Sequence, residues 1–312
     1  KVNKLNIASL KDVLGDMTLT NLLIEELDLS QINFNGNTLT LQCKQLNKIV
    51  GSETFNGSLF LLPKDCRLTE FTLEGISNIQ GDFQCIDYFY VKEFVMPFIR
   101  VAGDMTIALN SGSVNTAAEI EFPKLQEIGG TLTLGTNRNA NNITFPLLKK
   151  ILGSCSVTTY NLKNDIEFTN LESIGTDGAD AQIKFEIEAT NILCPKLKTI
   201  NGKFDIATSS FMFDMEVDKV SYPNVESISE NLSITCPYSD FGSNGILSID
   251  FSGLKSVKGI SISGQGDVTD FSSFKYLFEN NVLTGESQWS VKECGYNPTF
   301  QEMKDGKYKL AE

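Results

Sequence analysis

One motif recurs from near the first residue to about residue 262, and it constrains the fold more than any other feature. A clear copy is 122–134, FPKLQEIGGTLTL, which has an aromatic residue, Pro, Leu, Ile, Gly and two alternating leucines at fixed positions. Ten copies can be placed in register, and their central apolar residues are Leu10, Leu46, Ile76, Ile99, Leu125, Leu148, Leu171, Leu197, Val225 and Leu254. Such a repeat is typical of a quasi-one-dimensional protein built from stacked units.

Each copy predicts two short strands and no helix. The segment that begins at the Gly alternates apolar and polar residues, as does a strand with one buried face. The aromatic-Pro segment predicts a second extended piece, because Pro fixes its own φ and restricts the residue before it. The segment from the Leu to the Ile of the motif turns the chain between these two strands. The Gly permits a tight corner, and Gly-Asp steps at this corner are expected to be structural: Gly15-Asp16, Gly81-Asp82 and Gly103-Asp104.

A single unit cannot bury its apolar face, whereas stacked units share one continuous core. The predicted fold class is therefore mainly β, a right-handed single-stranded β-helix or leucine-rich-repeat-like solenoid of about ten coils. The seven cysteines include no C-x-x-C pair, so no disulfide framework is expected. Four of them occupy interior positions of the repeat and should act as small buried apolar residues: Cys43, Cys85, Cys155 and Cys194.

The repeat stops near residue 280, so we predict a repeat solenoid over 1–280 and a C-terminal capping segment over 281–312. The apolar steps within 270–278, DFSSFKYLF, have helical spacing and predict a short capping helix. Thr299 followed by Glu302 is a capping-box signal, which predicts a helical turn over 300–305.

The repeated unit resembles that of receptor L domains, the ligand-binding lobes of insulin- and growth-factor-type receptors. It also resembles the repeats of fungal cell-wall GPI proteins and of many bacterial surface proteins, over about residues 1–265. The tail segments 289–292, WSVK, and 296–299, YNPT, resemble those of outer-surface lipoproteins of Gram-negative gut bacteria. These resemblances imply an extracellular location on the outer cell surface, with a lipid anchor through a removed stretch upstream of Lys1. Leucine-rich repeats are the neighbouring family, since 132–137 fits their pattern, but the Asn position fails in the other coils.

Composition disfavours several functional classes. The formal charge is −13 and the pI about 4.6, whereas a nucleic-acid-binding face must be positive. The chain has no histidine, which removes Ser-His-Asp sites and zinc sites that need a His ligand. No apolar run approaches the roughly 18 residues that span a membrane. We therefore expect no nucleic-acid partner, no transmembrane segment, no metal site and no cofactor.

Aromatic residues on the longer loops are the candidate ligand-binding residues, because aromatic rings on a solenoid edge suit contact with sugars or proteins. The alternative is that these rings fold back over the edge of the core. The candidates are Phe211, Phe213, Tyr238, Phe241, Tyr88 and Tyr90.

A second candidate site is an acidic face. Lys184, Glu186 and Glu188 alternate with apolar residues and are expected to point outward together, near Asp165 and Glu167 of the preceding coil. Stacked carboxylates can bind Ca²⁺ or serve as a glycosidase pair. The alternative is an ordinary solvated polar face.

Three functions stay open on this basis. The first is a non-enzymatic, monomeric binding or adhesion protein that presents a rigid solenoid to an extracellular glycan or protein. The second is a carbohydrate-active β-helix enzyme, such as a polysaccharide lyase or hydrolase. The third is a structural spacer or assembly element, which would bind no soluble ligand.

Overall fold

A computed structural model describes residues 5, 7, 9–20, 22–62, 70–86, 93–110, 118–137, 140–160, 164–178, 180–187, 191–208, 219–236, 248–266 and 268–311. The chain is mainly β and forms a solenoid of about eight turns, with parallel stacked sheets and a short helix near the C-terminus. The predicted solenoid is thus confirmed. The repeat count predicted about ten coils, against the about eight turns of the structure.

Short strands and two one-turn α-helices make up the described chain. In chain order the strands are β1 (Met17–Thr20), β2 (Glu26–Asp28), β3 (Thr38–Gln42), β4 (Lys48–Val50), β5 (Thr54–Phe55), β6 (Ser58–Leu61), β7 (Thr72–Glu74), β8 (Asn78–Ile79), β9 (Phe83–Ile86), β10 (Glu93–Val95), β11 (Arg100–Val101), β12 (Met105–Asn110), β13 (Ala118–Glu121), β14 (Glu127–Ile128), β15 (Leu132–Asn137), β16 (Ala140–Thr144), β17 (Lys150–Ile151), β18 (Cys155–Tyr160), β19 (Ile166–Glu167), β20 (Ser173–Ile174), β21 (Ala181–Ile187), β22 (Ile192–Leu193), β23 (Thr199–Ile200), β24 (Gly202–Thr208), β25 (Lys219–Ser221), β26 (Ser227–Ile228), β27 (Asn231–Cys236), β28 (Ser248–Asp250), β29 (Gly259–Gly266) and β30 (Trp289–Cys294). The α-helices are α1 (Lys275–Glu279) and α2 (Phe300–Lys304), and 3₁₀ turns cover Ser272–Phe274 and Glu286–Gln288.

The strands stack into three walls in which every pairing is parallel. The long sheet has twelve strands in the order β1-β3-β6-β9-β12-β15-β18-β21-β24-β27-β29-β30. The narrow sheet has eight, from β5 through β8, β11, β14, β17, β20 and β23 to β26. The third wall, here called the broken sheet, consists of three separate pieces: β2-β4-β7, β10-β13-β16-β19-β22 and β25-β28.

Two expectations about the unit were wrong. Each regular coil has three strands rather than two, because a further strand precedes the aromatic-Pro segment, with Ile120, Ile143 and Ile166 in register. The Leu-to-Ile step also does more than turn the chain, since its Ile lies in the narrow sheet. A whole coil, with strands β2 and β3, lies in the interval between Leu10 and Leu46 that the repeat alignment passed over.

Aromatic rings at the repeat's first position stack along the core. The ring centroids of Phe122, Phe145 and Phe168 follow one another at 4.9 Å, and the planes of successive rings differ by 1° and 10°. This separation matches the strand spacing of the sheets, so each coil adds one ring to the stack. The four interior cysteines are buried, as expected: Cys43, Cys85, Cys155 and Cys194.

Glycines stack at the corner before the long sheet. The backbone N–H of Gly153 donates to the carbonyl of Gly130 at 2.9 Å, and Gly130 donates in turn to Gly103 at 2.9 Å. A Cβ on Gly153 would lie 2.6 Å from the carbonyl carbon of Gly130, closer than side chains approach a backbone. None of these glycines has a positive φ. The residue type is therefore required by close approach of successive coils, and not by the backbone freedom that the sequence suggested.

The Gly-Asp steps are structural, and their aspartates connect coils. Asp82 Oδ1 accepts the backbone N–H of Asp104 at 2.8 Å, and Asp104 Oδ1 accepts that of Thr131 at 2.7 Å. Asp16 Oδ1 accepts the N–H of Thr38 in the same way, at 2.8 Å. Each of these carboxylates satisfies one corner N–H of the next coil.

Replacing Asp104 tests this contact. Asp104→Ala leaves the Thr131 N–H without its side-chain acceptor and should lower the free energy of unfolding by about 1 kcal/mol. Asp104→Asn keeps an acceptor oxygen in place and should change it by less than about half that amount. Urea denaturation followed by circular dichroism measures both variants. Equal losses would show that charge, and not the hydrogen bond, matters at this corner.

The two short helices predicted near the C-terminus are present. α1 places Leu277 and Phe278 over the last coil, and Phe278 meets Trp289 edge-on with 5.1 Å between ring centroids. The indole N–H of Trp289 donates to the carbonyl of Pro298 at 2.8 Å. Thr299 and Glu302 form the predicted capping box at the start of α2. β30 continues the long sheet beyond β29.

Within the described ranges, no helix is long and apolar enough to cross a bilayer.

Candidate binding cleft

All six predicted aromatic binding residues lie outside the described residues. They are Phe211, Phe213, Tyr238, Phe241, Tyr88 and Tyr90. Glu188 of the predicted acidic face also lies outside them. The aromatic-loop site therefore stays a prediction.

The other members of the predicted acidic face are divided between two walls. Lys184 and Glu186 lie on β21 of the long sheet, whereas Glu167 lies on β19 of the broken sheet. Asp165 accepts the backbone N–H of Asn191 at 2.7 Å, so its carboxylate connects coils. The four described residues therefore do not form one acidic cluster. In the described ranges, no group of three His, Cys, Asp or Glu side chains is placed to hold a metal ion.

Glu186 is held in its ionised form. Its Oε1 lies 2.6 Å from Lys184 Nζ, and its Oε2 accepts a hydrogen bond from Thr158 Oγ1 at 2.9 Å. The hydrogen bond from Lys184 is the largest cause that lowers the pKa of Glu186 below its ordinary value of 4.5. Because folding lowers this pKa, the pair stabilises the fold above pH 4.5, and the contribution is lost as pH falls through the folded-state pKa.

Replacement of Lys184 should reverse the shift in the pKa of Glu186. In Lys184→Met the pKa of Glu186 should rise toward its ordinary value, because its strongest donor is gone. A ¹³C NMR titration of the carboxyl carbon measures it directly. Lys203→Met is the matched control, since Lys203 pairs with Asp205 at 3.0 Å on the next strand. An unchanged pKa in Lys184→Met would assign the shift to Thr158 instead.

A different site emerges where the broken sheet is interrupted between β22 and β25. The same two coils remain paired in the other walls, through β24 with β27 and β23 with β26. Beyond the strands, Asn224 Nδ2 donates to the carbonyl of Pro195 at 2.8 Å. The interruption thus opens one wall only, and it leaves a cavity of about 450 Å³, here called the cleft.

The cleft has an apolar floor and a polar rim. Ile187, Ile192 and Val220 line it and are each almost fully buried. Two charged residues, Glu167 and Lys219, also line it. A cavity of this size and lining lies within the usual range of ligand sites, for which about 300–1,000 Å³ is typical.

A cysteine at the aromatic position of the repeat, Cys194, explains why the broken sheet is interrupted here. Cys194 occupies the position that Phe168 occupies one coil earlier, and the small thiol ends the stack of parallel rings. The ring of Tyr222 meets Phe204 nearly edge-on, with 5.4 Å between centroids, and its hydroxyl donates to the carbonyl of Ile192 at 3.0 Å. Burial raises the pKa of Tyr222 well above its ordinary value, so the hydroxyl remains a donor. Burial likewise raises the pKa of Cys194, so its thiol is not an activated nucleophile.

Within the part of the chain that the structure describes, the two facing edges have backbone groups without a backbone partner. Phe168 N–H donates to Leu193 O at 2.9 Å, and Tyr222 N–H donates to Asp250 O at 2.8 Å. Because backbone groups alternate along a parallel strand, Ile192 and Cys194 on one edge and Lys219 and Ser221 on the other direct their N–H groups into the cleft. In the two preceding coil pairs, the wall is closed by the bonds from Phe145 N–H to Glu167 O and from Phe168 N–H to Leu193 O. Among the described residues, the equivalent bond from Cys194 to Ser221 is absent.

Sequence reasoning missed the cleft. Two signals could have found it: the aromatic position is a cysteine at Cys194, and the next interval, from Leu197 to Val225, is 28 residues against 23 for the regular coils. Together, the cysteine and the long interval indicate a coil whose first strand need not pair with the equivalent strand of the preceding coil.

Comparison with known proteins gives no assignment, since no protein-family model, no curated protein and no solved structure matches this chain.

Proposed function

We propose that this chain is a non-enzymatic binding protein of the cell surface, which presents a rigid solenoid to a protein or glycan ligand. The cleft between β22 and β25 is the observation that carries the proposal. It is a cavity of about 450 Å³ whose lining combines buried apolar residues with Glu167 and Lys219. These are the properties that ligand sites share.

The scaffold around the cleft suits a binding role. The long and narrow sheets remain paired across it, and Tyr222 joins its two sides. Because the walls are ordered before a ligand arrives, little conformational entropy is lost on binding.

The outer face of the long sheet offers a second type of contact. Hydroxyl side chains stand in register on successive strands and could donate to and accept from a glycan. One such column contains Thr106, Thr133 and Ser156.

The enzyme alternative has less physical support. A glycosidase of the usual kind needs one carboxylic acid that keeps its proton near neutral pH. The pKa of Glu186 is shifted in the opposite direction by Lys184. The spacer alternative is separated from the proposal by whether the folded protein binds anything at all.

Location on the outer cell surface through a lipid anchor belongs to the same proposal and rests on the sequence resemblance alone. Labelling of intact cells with a membrane-impermeant reagent, and metabolic incorporation of a labelled fatty acid, test it.

The proposed function is tested by screening the purified chain against an array of glycans and extracellular-matrix proteins. Leu193→Asp places a charge at the cleft rim and should abolish a hit that uses the cleft. Leu147→Asp is the matched control, since Leu147 is 43% exposed and Leu193 39%. A Phe211→Ala/Phe213→Ala variant tests the predicted aromatic site separately. A blank array for the well-folded wild type would favour the spacer.

A further inference from the structure

We propose that exposed lysines along the narrow sheet bind an extended anionic polysaccharide that carries an acidic group on every second sugar. These lysines, here called the lysine strip, come from the coils of β14, β17 and β23: Lys124, Lys149, Lys150, Lys196 and Lys198. The strip lies on a different wall from the cleft, so the inference goes beyond the proposed function and does not depend on it.

The positive charge of the lysine strip is not balanced locally. Four segments of successive coils form its surface: 123–127, 146–150, 169–173 and 195–199. They hold five lysines and two glutamates, in a chain whose net charge is −13. All five lysines are exposed, and none forms an ion pair among the described residues. Elsewhere Lys255 and Lys258 do pair, with Glu226 and Glu230. The ammonium groups of the strip are therefore available to an anionic ligand.

The two glutamates of the strip differ in their surroundings. Glu127 Oε1 accepts a hydrogen bond from Arg100 Nε at 2.9 Å, so its charge is already compensated. Glu172 lies between Lys149 and Lys198, because successive backbone N–H groups in this column donate to the preceding coil at 2.9 Å. Within the described ranges, Glu172 forms no ion pair. Glu172 therefore opposes an anionic ligand, and its neutralisation should strengthen binding.

The spacing of the lysines indicates the repeat of the ligand. Lys149 and Lys198 are two coils apart, roughly 10 Å at the strand spacing of a sheet. This separation is close to the length of one disaccharide in an extended polysaccharide, so acidic groups on alternate sugars would meet both lysines. On an extended peptide, side chains of one face recur about every 7 Å and would not keep this register.

The surroundings of the strip favour a sugar polymer over a nucleic acid. Its four segments contain no aromatic residue on which bases could stack. The adjacent broken sheet is acidic, since Glu121 and Glu167 alternate there with the buried Ile120 and Ile166. Strands β13, β16 and β19 of that sheet contain no lysine or arginine. An anionic chain is repelled from that wall and would follow the strip along the axis of the solenoid.

The probe is a hyaluronan hexasaccharide, which has a carboxylate on every second sugar, titrated into the ¹⁵N-labelled chain and followed by NMR. We expect saturable binding with Kd below about 1 mM at low salt, and shifts of the amides of Lys149, Lys150 and Lys198. Raising the salt from about 50 to about 300 mM should weaken binding roughly tenfold, because exposed charges are screened. The methyl ester of the same hexasaccharide keeps the length without the charge and should bind at least about tenfold more weakly.

Neutralising Glu172 gives a test that damage to the fold cannot imitate. Glu172→Gln should strengthen binding of the hexasaccharide about threefold, because the opposing charge is gone. Glu53→Gln is the matched control, since Glu53 lies in the same column of backbone hydrogen bonds five coils earlier. It removes the same charge but should leave the affinity unchanged, because that distance exceeds the screening length.

A pair of double variants separates the strip from net charge. Lys149→Gln/Lys198→Gln should weaken binding about tenfold. Lys203→Gln/Lys258→Gln is the matched control, since it removes the same charge from lysines that already pair with Asp205 and Glu230. The affinity of this control should fall less than about twofold.

Four outcomes would overturn the inference. They are no saturable binding up to about 5 mM hexasaccharide (roughly fivefold above the expected upper Kd), equal affinity of its methyl ester, equal losses in the two double variants, and equal affinity for a thymidine hexanucleotide. The last two would show that any polyanion responds to net charge alone. An array hit lost in Leu193→Asp, together with no binding of the hexasaccharide, would refute the lysine strip and leave the proposed function standing.

Discussion

Gly153→Ala should lower the free energy of unfolding by about 3 kcal/mol, because the added methyl group has no room. Its Cβ would meet the backbone of the preceding coil at three atoms, between 2.6 and 2.8 Å away. These atoms belong to the hydrogen-bonded glycine ladder, so they cannot move without opening the corner. Urea denaturation gives the free energy, and hydrogen exchange in β15 and β18 locates the damage.

Gly135→Ala is the matched control for this experiment. Gly135 lies on β15, in the adjacent coil, and a Cβ there would meet nothing within 4 Å. Stability should change by less than about 0.5 kcal/mol, since a Cβ in open space disturbs no neighbour. If both variants lost the same stability, loss of backbone freedom and not close approach would explain the glycine ladder.

Phe145→Ala should destabilise the fold by about 3–5 kcal/mol, the usual range for a buried aromatic residue replaced by alanine. Phe145 is fully buried and is the middle ring of three, 4.9 Å from Phe122 on one side and from Phe168 on the other. Its removal leaves a cavity between two rings that the strand spacing holds apart. Thermal and urea denaturation measure the loss.

Two comparisons make this prediction specific. Phe145→Leu keeps most of the apolar volume and should lose less than half as much stability. Leu147→Ala, two residues away at a site 43% exposed, should be nearly neutral. A Phe145→Ala variant as stable as Leu147→Ala would mean that the neighbouring coils collapse onto the vacancy without cost.

The periodic part of the fold could be predicted from the sequence. The Gly-x-Φ-x-Φ alternation identified most strands of the long sheet, and the interior cysteines and the Thr299–Glu302 capping box followed from their positions. The third strand of each coil was missed because it is short and its apolar residue, such as Ile143, precedes the motif. The coil with β2 and β3 was missed because it lacks the aromatic-Pro signal. The division at residue 280 stays a prediction.

The cleft was harder to predict because it depends on two coils together. Cys194 was recognised as a small residue at an aromatic position, but its consequence depends on where the ring of Tyr222 goes. An interrupted ladder is also an absence of pairing, and no single residue type signals it without the length of the coil that follows. The aromatic candidates Phe211 and Phe213 were chosen for composition, and the described part of the chain does not test them.

The glycine ladder at the corner of the coils also has a genetic consequence. Phe122 and Phe145 are 23 residues apart, so an in-frame duplication of 69 nucleotides would add one complete coil. The new coil would meet its neighbours through the same glycine, aromatic and aliphatic contacts, and the rod would lengthen by about 4.8 Å. A duplication that does not comprise a whole coil would place a side chain where the ladder admits only hydrogen. Selection on such a gene should therefore tolerate changes in coil number more readily than single insertions within a coil.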